Sequence, residues 1–125
     1  MQGKLIFIYN ADSGLFNTVT DIAHKIFSPQ TYSCNLCSLT HDYFTVRNEW
    51  KSFIANLGVE CEFLHRDDFK QRLPGKEIAF PAILWEERGI ISLCLSAEAI
   101  NRCKDLASLE QAITNYLLAP PTFPD

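Results

Sequence analysis

Cys34 and Cys37 stand at the ends of the segment Cys34-Asn35-Leu36-Cys37. That spacing lets two sulfurs converge on each other or on one metal ion, so it admits two chemistries. In dithiol–disulfide exchange, Cys34 is the attacking thiolate and Cys37 the resolving one. A helix starting here would favour the thiolate through the free N–H groups of its first turn. The metal alternative adds His41, as Cys-x2-Cys-x3-His, with His24 as a fourth ligand. Thiolate and imidazole ligands in a tetrahedral set suit zinc. A single CxxC lacks the second half that marks most zinc sites, and a third reading leaves both cysteines structural.

A second candidate lies at Asp12-Ser13-Gly14. These residues precede a predicted helix, where unpaired backbone N–H groups favour an anion. A small carboxylate, phosphate or thiolate ligand would sit there against Pro81. The simpler reading is that Asp12 or Ser13 only caps the helix. No Gly-x-x-x-x-Gly-Lys pattern exists, so a nucleotide-binding P-loop is not supported. Cys61, Cys94 and Cys103 fall on predicted strand or helix faces and read as small core hydrophobes. His65 ends a strand and reads as a partnered or exposed histidine rather than a base. Trp50 and Trp85 occupy core positions.

The elements that must position these residues follow from periodicity. Leu5–Tyr9 is a continuous apolar run, the pattern of a strand buried on both faces. Leu15, Val19, Ile22 and Ile26 recur on one helical face, and Ser28-Pro29 stops that helix. Gln30–Arg47 has no decisive pattern, whereas Asn48–Leu57 reads as a helix capped by Gly58. Val59–His65 alternates as a strand, with Val59, Cys61, Phe63 and His65 on one face and Glu60, Glu62 and Leu64 on the other. Asp67 or Asp68 caps a short helix through Leu73. Ile78–Trp85 and Ile90–Leu95 form a hairpin about a turn at Glu86–Gly89. Ser96 caps a helix through Cys103, and Ser108 with Gln111 forms the capping box of the last one. The chain thus reads as one domain over 1–118 with a mobile Pro-rich tail over 119–125.

If the first helix runs from about Ser13 to Phe27, Cys34 lies beyond its far end, roughly 20 Å along the axis from the helix start. Residues 28–33, at about 3.3 Å each, are long enough to lead back. Proximity of the cysteine pair to Pro81 is therefore allowed but not required.

Composition narrows the classes. The chain has 125 residues, 47% of them hydrophobic, which suffices for a core without disulfide or metal staples. The net charge of −4 is spread along the chain with no basic stripe, which argues against nucleic acid. The first apolar run is too short for a secretory signal, and no stretch is long enough to cross a bilayer. Five cysteines, an odd number without framework spacing, point to the reducing cytoplasm.

The order β-α-(α)-β-α-β-β-α-α resembles the thioredoxin-like fold, with a CNLC-bearing helical insertion after the first helix. A cis-proline heading a strand beside the active site is regular in that fold, and Pro81 stands at that place. Tyr9–Asn17 resembles the opening of the DCC family of thiol–disulfide oxidoreductases, Tyr-Asp-Gly-Asp-Cys-Gly-x-Cys-Asn. Tyr9, Asp12, Gly14 and Asn17 match, while Ser13 and Phe16 replace the two cysteines, so exchange at that position is excluded. The first half of the chain is more similar to an uncharacterised bacterial family with a Tyr-Asn-Ala-Asp-Ser-Gly start, a His-Lys pair and a Cys-x-Leu-Cys-x-Leu-Thr motif. Here these are Tyr9–Gly14, His24-Lys25 and Cys34–Thr40, and His41-Asp42 departs from the Tyr-Gly expected next. The resemblance implies a fold but no established activity. Two functions stay open: a thiol–disulfide oxidoreductase or redox sensor acting on protein thiols and disulfides, and a redox-inactive module that binds a protein or small anion.

Overall fold

The computed structural model describes residues 3–10, 35–40 and 47–118. The predicted first helix and the tail at 119–125 lie outside them.

Strand β1, Gly3–Ile8, is central, as its unbroken apolar run requires. Leu5, Ile6, Phe7 and Ile8 are all buried, so both faces of the strand are covered. β2, Glu60–Leu64, pairs with it in parallel, Lys4 opposite Glu60 through Ile8 opposite Leu64. β3, Ala82–Glu87, pairs on the other side in antiparallel sense, and β4, Ile90–Leu95, completes a mixed sheet of order β2-β1-β3-β4. The β3–β4 turn is tight because Arg88 and Gly89 both take positive φ, at 56° and 78°. Turns of that form match the twist of the flanking strands. Glu86 and Glu87 belong to β3 rather than to the turn. The register then shifts between Ile83 and Leu84, leaving Cys94 as the extra residue of a bulge.

Among the described residues, helices cover the two sheet faces unequally. α1 (Asn35–Thr40), α2 (Asn48–Asn56), α4 (Ala97–Asn101) and α5 (Leu106–Leu118) pack on the face of Leu5, Phe7, Ile83 and Trp85. Leu36, Trp50, Ile100, Leu109 and Ile113 fill that layer. Trp50 meets the Phe7 ring edge-on at 5.5 Å between centroids, a favoured aromatic geometry. On the opposite face, Phe69 of α3 (Arg66–Arg72) covers Ile6, Ile8 and Leu84. Toward the start of β1 that face turns polar, with Lys4 Nζ 2.9 Å from Glu62 and 3.5 Å from Glu86.

Helix starts differ in detail from expectation. His65, not Asp67 or Asp68, caps α3: its backbone N–H donates to Asp68 Oδ2 at 3.1 Å, the return half of a capping box. Asp105, not Ser108, holds the first turn of α5, accepting from the Ser108 N–H at 2.8 Å and its hydroxyl at 2.6 Å. Aspartate is a strong acceptor for such unpaired N–H groups. Ser96 caps α4 as expected, accepting from the Ala99 N–H at 3.1 Å. α2 ends at Leu57, followed by Gly58 at φ +77°.

Candidate functional site

Three strand ends meet at one corner of the sheet. The β1–β3 ladder closes with Ile8 opposite Ala82, so the next antiparallel position brings Pro81 opposite Tyr9. Pro81 has no N–H with which to continue the ladder, which is why β3 starts one residue later. The Phe80–Pro81 peptide bond, whose isomer the sequence left open, is cis. On the other flank the Tyr9 N–H donates to the Leu64 carbonyl at 3.0 Å, extending the alignment of β1 with β2 by one residue. Arg66 then reaches the Asn10 side-chain oxygen at 3.2 Å. The carboxyl ends of parallel strands, flanked by a strand of opposite sense, are where α/β sheets commonly open a crevice.

The CxxC segment joins this corner through its helix. The described part of α1 runs from Asn35 and contains Cys37. Leu36 and Thr40 are fully buried one turn apart, and Leu36 shares its core cluster with Tyr9. The Thr40 hydroxyl donates to the Leu36 carbonyl at 2.8 Å, and the Arg47 N–H donates to the Thr40 carbonyl at 2.9 Å. The side chains of Tyr9 and Thr40 are also hydrogen-bonded. Burial pushes the Tyr9 phenol up to about 12, so it stays a neutral donor at every ordinary pH.

Among the anticipated site residues, Pro81 and the backbone of Cys37 are described. Cys34, Asp12, Ser13, Gly14, His24 and His41 lie outside the described residues. Among the described residues, no group of three or more His, Cys, Asp or Glu side chains is arranged to hold a metal. His65 is partnered: its Nδ1 lies 3.4 Å from Asp68 Oδ2.

The other cysteines behave as core residues. Cys61, Cys94 and Cys103 pack against the main cluster and are free thiols. Burial, with the nearby Glu60 charge adding to it, pushes the Cys61 thiol up to about 11. Burial alone takes Cys94 to about 12, and burial with Asp105 raises Cys103. A thiol held protonated is a poor nucleophile and a poor metal ligand.

Among the described residues, depressions away from the Pro81 corner include a cleft and a groove. A cleft of about 460 Å³ lined by Gly3, Lys4, Glu60, Glu86 and Arg88 opens at the other end of β1. A groove of about 630 Å³ runs between α2 and α5, with Phe53 and Leu117 lining it beside Glu49 and Glu110. Neither is lined by a thiol or a histidine.

Tyr9, Thr40, Asn10 and Arg66 are the polar residues at this corner to which the sequence assigned no role. The available signal was a tyrosine closing an otherwise apolar strand, since a buried phenol needs a partner for its O–H. Among the described residues, no helix is long and apolar enough to cross a membrane. No protein-family model, curated protein or solved structure matches this chain.

Proposed function

We propose that this chain is a thioredoxin-like thiol–disulfide oxidoreductase or redox sensor that uses Cys34 and Cys37 in a reducing compartment, the cytoplasm. The observation that carries the reading is the link between the CxxC helix and the cis-Pro81 corner through Tyr9 and Thr40. The strand order β2-β1-β3-β4, with β3 antiparallel to its neighbours, supports the fold assignment.

In the exchange step the Cys34 thiolate attacks one sulfur of a protein disulfide. That S–S bond breaks and the first substrate thiolate leaves, giving a mixed disulfide. The Cys37 thiolate then attacks the Cys34 sulfur and expels the second substrate sulfur as thiolate. Two electrons have passed from the dithiol to the substrate, and the chain holds a Cys34–Cys37 disulfide. A small-molecule or protein thiol restores the dithiol by the reverse exchange.

A second reading has an observation of its own. Arg66, hydrogen-bonded to Asn10, places a cation at a residue two positions before Asp12 in the sequence. A redox-inactive module would use that charge and Pro81 to bind a small anion or an acidic protein segment, with Cys34 and Cys37 structural or joined by His41 and His24 around zinc.

The test is a redox titration of metal-stripped protein, read at Cys34 and Cys37 by alkylation and mass spectrometry. A reversible two-electron couple between about −120 and −270 mV, absent in Cys34→Ser, is the expected result. No disulfide anywhere in that range overturns the oxidoreductase reading and leaves the binding module, which zinc and anion titrations of the same sample then examine.

A further inference from the structure

The groove of about 630 Å³ between α2 and α5 is built from one face of each helix. Along α2 the lining positions Glu49, Phe53 and Leu57 follow at four-residue steps. Along α5, Glu110 is followed by Leu117 and Leu118, seven and eight positions on. Residues at those spacings share a helical face, so the groove has two ridges of about two turns, roughly 12 Å long. Each ridge starts on a carboxylate and ends on leucine.

Two features of the lining call for an occupant. Leu118 is 79% exposed, and Phe53 and Leu57 are only partly buried, so the apolar part of the groove faces water. Glu110 Oε2, by contrast, is buried yet accepts from no donor among the described residues. A buried carboxylate oxygen in that state is costly. Burial and then the Glu49 charge raise the Glu110 carboxyl, as two like charges with no cation between them must. The lining holds no Lys, Arg or His. Its Asn56 and Thr114 side chains donate within their own helices, to the Ser52 carbonyl at 2.9 Å and the Glu110 carbonyl at 2.8 Å.

We infer that this groove docks an amphipathic helix of a partner protein that carries Lys or Arg beside its apolar face. Two helical ridges offer a third helix a groove in which side chains at i, i+3 and i+4 interdigitate. The partner's apolar side chains cover Phe53, Leu57 and Leu118, and its cation faces Glu49 and gives Glu110 Oε2 a donor. Charge selects this occupant. A second copy would bring the same two carboxylates against themselves, in a chain of net charge −4. Residues 119–125 of the chain itself contain no Lys or Arg and end on Asp125. Nucleic acid and anionic membranes are repelled by the same carboxylates. The inference is independent of the cysteine chemistry.

The experiment titrates the full chain against a fluorescein-labelled Leu/Lys amphipathic peptide of about 15 residues, long enough to form a helix, and reads fluorescence anisotropy. The parent binds it, and the same peptide with Glu in place of Lys binds about tenfold more weakly. Glu110→Gln weakens binding of the Leu/Lys peptide about two- to fivefold, the weight of one partly exposed ion pair. Leu118→Ala weakens it about tenfold, the weight of one newly buried leucine. Glu98→Gln, which removes an exposed carboxylate outside the groove, leaves it unchanged. If Glu110→Gln does not fold, Glu49→Gln, at an exposed position, carries the same comparison. A parent that prefers neither peptide overturns the inference, as does unchanged binding in Leu118→Ala. A loss in Glu98→Gln as large as in Glu110→Gln overturns it too, since attraction to any carboxylate would then explain the binding. A parent that sediments as a dimer, with Leu118→Ala a monomer, gives the groove to a second copy and equally overturns it.

Discussion

The indole of Trp85 occupies the space where a side chain on Gly3 would begin: a Cβ placed on Gly3 meets Trp85 Cζ2 at 2.2 Å. Gly3 opens β1 and sits opposite Glu87, two positions beyond Trp85 on β3. Trp85 is fully buried and its Nε1 donates to Glu87 Oε1 at 3.0 Å, so the ring is held from both sides. It is the close approach of the ring, rather than any unusual backbone angle, that requires glycine here.

Gly3→Ala is therefore expected to behave as an overpacked core substitution. It lowers stability by about 1–3 kcal/mol, visible as a reduced urea midpoint with little change in m. The near-ultraviolet signal of Trp85 shifts with it. A substitution that leaves both unchanged would mean that the indole moves aside at no cost.

Glu62 predicts the shape of the acid limb. The hydrogen bond from Arg72 and then that from Lys4 hold its carboxyl down to about 2, against an ordinary 4.5. A depressed carboxylate adds stability above its unfolded pKa and loses it as pH falls through the folded one. The stability contributed by this cluster accordingly fades between pH 4.5 and about 2. Glu62→Gln removes the part of the slope that falls in that window, and added salt shrinks the difference because the groups are partly exposed. Parallel acid limbs in parent and variant would show that the ion pairs add nothing.

The cysteines should separate into two classes under alkylation. A thiol raised from 9.0 to about 11, as for Cys61, holds about 100-fold less thiolate near pH 8. Cys94, at about 12, holds less still. Native protein treated with iodoacetamide at that pH is expected to label Cys61 and Cys94 slowly, and urea-unfolded protein to label them at the rate of free cysteine. Rapid native labelling of Cys94 would place the β4 bulge in frequent exchange with solvent.

Much of the scaffold was legible because it rests on local rules. The apolar run Leu5–Tyr9 could only be a strand covered on both faces, and the alternation over Val59–His65 assigns Val59 and Cys61 to the main core and Glu62 and Leu64 to the other side. Asn48–Leu57, the β3–β4 hairpin and the Ser96 cap follow from periodicity and turn chemistry in the same way. The caps at His65 and Asp105 were missed because several polar residues crowd each helix start, and which one reaches the unpaired N–H groups depends on the direction from which the chain enters.

By itself, then, the sequence determined most of the described elements after residue 47 and the first strand, the two-faced core and a cysteine pair with two chemistries open to it. Tertiary structure decided which strand ends share a corner. The pairing of Tyr9 with the position of Pro81, and the bond from Tyr9 into α1 at Thr40, join residues 31 and 72 positions apart along the chain. No local pattern encodes such a meeting. It arises because β1 is flanked by β2 and β3 together, and because a buried phenol must find its acceptor wherever the packed core supplies one.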